Sequence, residues 1–375
     1  MFSLKFSAIS CSLLCISLVE GKPISGPRVF TVPARDFNDS DMYANWPSYD
    51  ELPLDPSFPT KSAWGVWGPD DELGALNHIT PETIKAALAE AQHGIAINLN
   101  LDLNIPNPPL VPSRTPLSHT FLAGEGYQDD VVTLNTQIST QLDGLRHVPY
   151  STNANISTYQ FYNDLLTFDD IFSAEGINTL GIQNTAQKGI AGRGVLLDWA
   201  GWMDSINASF DALTSRSITV DELDAVAEWQ GLNSTSFAHP GDFLIIRTGF
   251  GRQYAALPPH EQMVLPFREA DNATFLGVET SDRTLAWIWE KKLSMVGADN
   301  LAFETFPFNG TVDGVERSLH EVFLSGWGQS IVELLDLERL AETCHSLGKF
   351  SFFFTIQVLN VVGGVASPPN ALAIL

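Results

Sequence analysis

The chain has 375 residues, of which 44% are hydrophobic, and it carries a formal net charge of −24 at pH 7. This length is enough to bury one large hydrophobic core. Only 20 lysines and arginines stand against 44 acidic residues, and they form no cluster that would bind phosphates or anionic lipids. We therefore expect no nucleic-acid or membrane partner.

The first 21 residues resemble a secretory signal peptide. Lys5 precedes an apolar run, and Val19 and Gly21 provide small residues at the usual cleavage positions. An uncleaved anchor is the alternative, but the run is shorter than the ~20 apolar residues of a spanning helix. Sequons for N-glycosylation occur at Asn38, Asn155, Asn207, Asn233, Asn272 and Asn309. The sequence therefore predicts an N-glycosylated protein that is secreted or lies in the lumen of the secretory pathway.

Residues 22–61 are rich in Pro, Asp and Ser, which predicts an extended arm on the protein surface. Three helices with clear boundary signals follow. The first spans 80–94, with a threonine cap, a proline at its first position and a glycine at its end. The second, 219–231, opens with a capping box, and the third covers 336–348.

Apolar runs with strand character lie between these helices: "GVLLDW", "DFLIIRTGF", "LSMVGAD" and "FSFFFTIQVLNVV". Because strands and helices are intermixed throughout, we predict an α/β fold with one catalytic domain at 62–375. Cys11 and Cys15 lie in the predicted signal, which leaves Cys344 without a disulfide partner. Its helical spacing indicates a core position, and a catalytic thiol is the less favoured alternative.

A polar row follows the first helix in "LNTQISTQLDGLRH". If this stretch is a strand, alternation places five polar side chains on one face. These are Asn135, Gln137, Ser139, Gln141 and Asp143. Gly144 then permits a tight turn that brings Arg146 and His147 close to the row. An edge strand with a solvated face gives the same alternation, but amides plus one carboxylate favour a wet cavity.

A second polar pair lies in the C-terminal part of the chain. His320 falls in a predicted short helix that ends near Gly326 and Gly328. Glu333 lies in the otherwise apolar "SIVELL". A carboxylate there either begins the next helix, where it complements the helix dipole, or acts as a ligand or acid–base group.

Five motifs in order resemble the cyclase family of kynurenine formamidase-like proteins. They are "AWGVWGPDDELGALNHITPE", "QISTQLDGLRH", "GRGVLLDWAGW", "HPGDFLIIRTGF" and "LNVVGGVASPPNALAI". The resemblance runs from about Ser62 to the C-terminus and is greatest to a branch of secreted fungal members. It implies an α/β fold with a swivelling β/β/α core, a tendency to form homo-oligomers, and a divalent metal, zinc or manganese, in the hydrolase members.

The metal motif of that family is His-x-Gly-Thr-His-x-Asp-x-Pro-x-His. In this chain its two first histidines correspond to Gln137 and Gln141, and its last three named positions to Asp143, Leu145 and His147. Ser139 corresponds to the glycine. By the same resemblance, the family's further histidine and glutamate ligands correspond to His320 and Glu333.

Two imidazole ligands are thus replaced by amides, which coordinate only through a weak carbonyl oxygen. Asp143, His320 and Glu333 would still hold one divalent ion, zinc or manganese, with Gln137 or Gln141 as a weak extra ligand. The resemblance therefore predicts metal binding that is weakened relative to the family.

In the hydrolase interpretation, the metal activates water to attack an amide, lactam or lactone carbonyl in a small cyclic or aromatic metabolite. His147 moves the proton, because its ordinary pKa is close to working pH. Gln137, Gln141 and Ser139 would donate hydrogen bonds to the developing oxyanion.

Two alternatives remain open at the level of sequence. The first is a metal-independent lyase, cyclase or dehydratase of fungal secondary metabolism, in which His147 works as an acid–base pair with Asp143 or Glu333. The second is a non-catalytic binding protein that keeps the pocket without the chemistry. The retained acid–base groups favour an enzyme, and metal content discriminates between the interpretations.

Overall fold

We analysed a computed structural model that describes residues 43–151, 155–173, 178–269 and 273–375. The predicted signal peptide, the first half of the predicted arm and the sequons at Asn38 and Asn272 lie outside the described residues. All described residues belong to one compact unit, Val32–Leu375. Within them, no helix is both long enough and apolar enough to cross a membrane.

The described part of the chain contains fifteen strands, nine of which form the main sheet. The strands are β1 Ala96–Asn98, β2 Ser118–Ala123, β3 Gln128–Thr133, β4 Gln141–Asp143, β5 Ile190–Leu197, β6 Ser217–Ile218, β7 Phe243–Ile246, β8 Gly277–Val278, β9 Met295–Ala298, β10 Thr311–Val312, β11 Val315–Glu316, β12 Ile331–Glu333, β13 Ser351–Gln357, β14 Ala366–Ser367 and β15 Asn370–Ile374. The order in the main sheet is β1-β15-β13-β5-β7-β9-β12-β4-β14. Its centre, β5-β7-β9-β12, is parallel, and the flanking pairs are antiparallel.

Helices pack around this sheet. The α-helices are α1 Pro81–Ala87, α2 Ile182–Lys188, α3 Trp199–Ser205, α4 Val220–Trp229, α5 Phe250–Ala256, α6 Pro259–Val264, α7 Asp282–Glu290 and α8 Glu338–Leu347. A π-helix covers Glu321–Trp327, and short 3₁₀ turns cover Tyr49–Glu51, Gly74–His78, Leu88–Glu90, Ile156–Thr158, Tyr162–Asp164, Asp169–Phe172 and Leu265–Phe267. This mixture confirms the predicted α/β class.

Two of the helix boundaries predicted from capping residues agree with the structure. Thr219 and Glu222 form the predicted capping box of α4. Gly348 ends α8 in the left-handed conformation, with φ of 62°. The helix predicted at 80–94 is shorter: α1 continues only as a 3₁₀ turn to Glu90, and the chain leaves the helix before Gly94.

The central strands are buried on both faces. In β7, Leu244 and Ile246 belong to one hydrophobic cluster, while Phe243 and Ile245 belong to a second cluster on the opposite face of the sheet. Continuous apolar runs such as "DFLII" are therefore explained by two-sided burial. Within the described part of the predicted arm, the Tyr49 side chain is only 5% exposed and packs into the core.

The prediction of one continuous strand through the polar row is wrong. β3 pairs only with β2 in an exposed hairpin, whereas β4 lies between β12 and β14 in the main sheet. The chain must turn between these two sheets. The Asn135 side-chain oxygen accepts a hydrogen bond from the backbone N–H of Gln137 at 2.9 Å and stabilises that turn. Alternation therefore holds only within Gln141–Asp143.

A buried histidine far from the polar row makes stability depend on pH. Burial lowers the pKa of His78 from its ordinary 6.5 to about 3, in a site enclosed by Trp46, Trp67 and Tyr43. The unfolded chain binds this proton below pH 6.5 and the folded chain does not, so the stability present at neutral pH is lost as pH falls toward 3.

We expect His78→Gln to remove this sensitivity, since glutamine does not titrate. Between pH 7 and pH 4 the native protein should lose about 3 kcal/mol more free energy of unfolding than the variant. Urea unfolding at each pH measures this difference. Equal losses in the two proteins would show that His78 is not responsible.

Candidate metal centre

The pairing of β4 with β12 brings the first site residues together. Gln141 lies directly opposite Glu333, and Asp143 lies opposite Ile331. Since side chains two residues apart share a face, Gln141, Asp143 and Glu333 all project from the same side of the sheet. The Gln141 Nε2 donates to Glu333 Oε2 at 2.6 Å. Glu333 therefore ends a strand, and the alternative that it begins a helix is wrong.

His320 reaches the same point from another element. It immediately precedes the π-helix Glu321–Trp327. Its Nε2 lies 3.0 Å from Glu333 Oε1 and 3.5 Å from Asp143 Oδ2. Ligand atoms of Asp143, His320 and Glu333 all lie within 4.8 Å of one another, and all three residues are buried. The structure thus brings together the three metal ligands expected from the sequence.

Glu304, which sequence reasoning missed, fixes the orientation of His320. Its Oε1 lies 2.8 Å from His320 Nδ1 and accepts the backbone N–H of His320 at 3.1 Å. Its Oε2 accepts from the Leu319 backbone N–H and, at 2.6 Å, from the Thr280 hydroxyl. A carboxylate on the far nitrogen directs the other nitrogen of a ligating histidine toward its ion. In the sequence, the one sign of this role is that Glu304 is a single glutamate inside the apolar "LAFETF".

Arg114 was also missed, and it determines how the two amides point. Its Nη2 donates to Gln137 Oε1 at 2.7 Å, and its Nη1 donates to the Gln137 backbone oxygen at 2.6 Å. Nη1 also lies 3.5 Å from Gln141 Oε1. Both amide oxygens therefore face the guanidinium, and the Gln137 Nε2 donates to Asp143 Oδ1 at 2.9 Å. No pattern in the proline-rich "VPSRTPL" indicated this role.

This geometry corrects two expectations for the amides. Because Arg114 holds their oxygens, Gln137 and Gln141 do not present a carbonyl to an ion as extra ligands. One N–H of each amide donates to the carboxylate of Asp143 or Glu333, so at most the second N–H is left for the oxyanion role predicted from the sequence. They orient the carboxylates instead.

The remaining donors fit a divalent ion. Asp143 Oδ2 is buried and makes no hydrogen bond within the part of the chain that the structure describes. A buried carboxylate oxygen without a donor is costly unless a cation or water satisfies it. Two carboxylates and one imidazole form a hard, oxygen-rich donor set, which suits manganese and is accepted by zinc. Asp143, His320 and Glu333 are therefore a competent set for one ion.

His147 lies at the edge of this cluster. Its Nε2 is 4.0 Å from Asp143 Oδ2, and its side chain is 24% exposed, in contrast to the buried side chains of Asp143 and His320. Burial lowers the pKa of His147 although the Asp143 carboxylate opposes the shift. A neutral imidazole in this position can accept a proton from a group beside the cluster.

The charges of the cluster support one another. Burial alone would lower the pKa of His320, but the adjacent carboxylates of Asp143, Glu304 and Glu333 raise that pKa well above its ordinary value. Burial opposes ionisation of Asp143 as well, but His147 and His320 hold the pKa of its carboxyl below the ordinary value. The Asp143 carboxylate therefore stays ionised and attracts a cation.

Other candidates from the sequence lie outside the cluster. Ser139 donates its hydroxyl to the Asp102 carbonyl oxygen at 2.8 Å, so this proton is committed and the predicted oxyanion role does not fit. Cys344 is buried in the core, and burial raises the pKa of its thiol to about 12. Asp299 also lies outside the cluster, and it accepts hydrogen bonds from Thr248 and from the Gly249 backbone N–H.

A cavity of about 420 Å³ opens beside the cluster. Val148, which follows His147 in the chain, contributes to its wall together with Phe308. The Phe308 ring centroid lies 5.5 Å from that of His320. The cavity therefore reaches the edge of the candidate metal centre.

The fold and the cluster together define an α/β protein with a candidate divalent-metal centre. The family model described as "Putative cyclase" matches residues 97–305. The chain belongs to this cyclase family of enzymes, which confirms the family expected from the motifs.

Solved structures agree with this assignment. A structure described as a novel cyclase is 30% identical, covers 84% of this chain and 99% of its own, and superposes with a TM-score of 0.70. Isatin hydrolase A from Ralstonia solanacearum is 16% identical. The match covers 78% of this chain and 97% of the hydrolase, with a TM-score of 0.50. An isatin hydrolase bound to the product analogue thioisatinate is 14% identical. The match covers 79% of this chain and 99% of that hydrolase, with a TM-score of 0.50. The two hydrolases show likeness of fold alone. No curated protein matches the chain.

Proposed function

We propose that the protein hydrolyses an amide, lactam or lactone bond in a small cyclic or aromatic metabolite, with the help of one divalent ion. The buried Asp143–His320–Glu333 cluster, supported by Glu304, is the observation that carries this proposal. The shared fold with isatin hydrolases supports the reaction class. A carbon–nitrogen or ester bond next to a ring is the substrate feature that follows.

Asp143, His320 and Glu333 would hold the ion, and zinc and manganese are the candidates. When bound, such an ion acidifies water and polarises a carbonyl. The protein's own residues do the rest. His147, neutral and partly exposed, accepts the proton that the attack releases and returns it to the leaving group. Arg114, through the two amides, keeps the carboxylate oxygens in place.

A metal-independent lyase or cyclase reaction is the second candidate function. It is favoured by one observation: two positions that are imidazoles in the family's metal motif hold amides here, and Arg114 supplies a fixed positive charge beside them. In that case His147 and Asp143, 4.0 Å apart, are the acid–base pair.

We further propose that the protein passes through the secretory pathway. The four sequon asparagines in the described residues, at Asn155, Asn207, Asn233 and Asn309, are all exposed, as glycosylation requires. Together with the predicted signal peptide, this supports a secreted glycoprotein. Mass spectrometry of protein purified from a secreting host, before and after deglycosylation, tests the proposal.

Metal content and hydrolysis should be measured on the same preparation. We expect about one divalent ion per chain, ring opening of isatin or phthalide, and loss of turnover with a chelator. His147→Ala should lower turnover by about 10²–10⁴-fold while the metal content stays unchanged, because this residue transfers a proton and is not a ligand. His260→Ala, at an exposed histidine outside the cluster, is the control.

Two results would reject the hydrolase proposal. One is protein without stoichiometric ion whose turnover a chelator leaves unchanged, which would favour the lyase. The other is full hydrolysis by His147→Ala, which would remove this residue from the chemistry.

A further inference from the structure

The cavity beside His320 has the size and the apolar walls of a ligand pocket. Its volume of about 420 Å³ falls in the range of small-molecule sites. Val148, Pro149, Tyr159 and Phe308 provide apolar and aromatic surface. Phe308, which is 41% exposed, presents an aromatic side chain to the cavity. A planar ring is the group that this surface fits best.

The polar wall of the cavity is built around an ion pair. Arg317 Nη1 lies 3.1 Å from Glu321 Oε1 and donates to the Ser151 carbonyl oxygen at 2.7 Å. Glu321 also accepts the backbone N–H groups of Ser151 and Ser318, at 2.8 and 3.0 Å. The guanidinium charge is therefore neutralised and held in place before any ligand arrives.

The balance of charge around the cavity is negative. Glu316 is a second, exposed carboxylate in its wall, so two carboxylates face one guanidinium. An anionic group on a ligand would meet net repulsion here, and it would displace Glu321 from Arg317 only at the cost of an unpaired buried charge.

Arg317 is only 9% exposed, and its guanidinium lies over the Tyr150 ring, 5.2 Å from the ring centroid. Its charge is already paired inside the protein, so a neutral ligand can contact the cavity wall without disturbing the ion pair.

We propose that this cavity is the substrate pocket and that Arg317 and Glu321 make it selective for neutral, ring-bearing carbonyl compounds over their anionic analogues. This inference rests on the proposed function for the reaction that the ligand undergoes. It concerns ligand recognition, which a binding experiment measures separately from hydrolysis. Arg317 and Glu321 are specificity-determining residues in this proposal, and neither is placed in the metal centre.

Calorimetric titration with a matched pair of probes tests the selectivity. Oxindole is a neutral bicyclic lactam, and oxindole-5-carboxylate adds one negative charge to the same ring. We expect the native protein to bind the carboxylate at least tenfold more weakly. Phe308→Leu should weaken oxindole binding severalfold, and Glu321→Gln, which leaves Arg317 without its counter-charge, should reverse the preference.

Glu316→Gln keeps the proposal testable if the buried pair cannot be altered without unfolding. Because Glu316 is exposed, this variant should fold normally and narrow the discrimination between the probes, whereas Glu228→Gln, an exposed change outside the cavity wall, should not. Equal binding of both probes by the native protein, or no effect of Phe308→Leu and Glu316→Gln, overturns the proposal.

Hydrolysis of isatin, assayed in parallel, separates the two proposals. Charge selectivity without hydrolysis of any lactam or ester would support the pocket and reject the hydrolase function. Hydrolysis without charge selectivity would support the hydrolase function and reject the proposed selectivity of the pocket.

Discussion

Asp143→Asn should abolish stoichiometric binding of a divalent ion and lower turnover by more than about 100-fold, since even hydrogen-bond partners of metal ligands cost 10–100-fold when removed. The structure predicts the orientation of the new amide. Gln137 Nε2 donates to the Oδ1 position, and Arg114 prevents the Gln137 amide from turning over. The substituted side chain must keep its oxygen toward Gln137 and place its NH₂ at the ligand position.

An NH₂ group in that position cannot coordinate an ion. It would instead donate to His320 Nε2, which lies 3.5 Å from the present Oδ2. Metal analysis of the purified variant measures the loss, and circular dichroism shows whether the fold is retained. Asp129→Asn, in the exposed strand β3, is the matched control and should keep its ion. A variant at position 143 with normal metal content would show that this carboxylate is not a ligand.

The sequence predicted those parts of the fold that are encoded over a few residues. The capping box of Thr219 and Glu222 lies within one turn, so its signal is complete in the sequence. Three of the four apolar runs likewise contain the strands β7, β9 and β13, and "GVLLDW" covers the second half of β5. Helix starts and buried strands depend on local hydrogen bonds and hydropathy, which a single sequence displays.

The polar row failed as one strand for a non-local reason. Its alternation is regular. However, β3, which ends just before the row, pairs in one sheet, and β4, at the end of the row, pairs in another, so the chain turns at Asn135. Thr140, on the face expected to be apolar, donates to the Leu334 oxygen at 2.6 Å instead of contacting solvent. Pairing partners far away in sequence override a periodic pattern.

Family resemblance predicted the three ligands, but not the residues that support them. Glu304 lies 16 positions from His320, and Arg114 lies 23 positions from Gln137. No periodicity connects such pairs, because they meet only through the packing of separate elements. The two amides, interpreted from sequence as weak ligands, could be understood only once Arg114 was seen to occupy their oxygens.

Glu304→Gln should weaken the binding of a divalent ion by about 10–100-fold, the usual effect of losing the carboxylate behind a ligating histidine. At present the carboxylate accepts hydrogen bonds on both oxygens, from His320 on one side and from Leu319 and Thr280 on the other. The amide of the variant has one oxygen, so one side must face its NH₂.

Either orientation has a measurable consequence. With the NH₂ toward His320, Nδ1 becomes an acceptor, the ring proton moves to Nε2, and the nitrogen that faces Asp143 and Glu333 can no longer bind an ion. With the NH₂ toward Leu319, Nδ1 keeps its acceptor and the metal affinity is retained. In both orientations one buried backbone N–H, that of His320 or that of Leu319, loses its acceptor, which costs about 1–3 kcal/mol of the free energy of unfolding.

Metal titration and urea unfolding on the same variant decide between these consequences. Glu304→Asp, which keeps the charge, should recover part of the metal affinity, and the exposed Glu228→Gln should change neither quantity. If Glu304→Gln lowers the free energy of unfolding but leaves the metal affinity unchanged, Glu304 only stabilises the fold, and His320 is oriented by the π-helix that follows it rather than by this carboxylate.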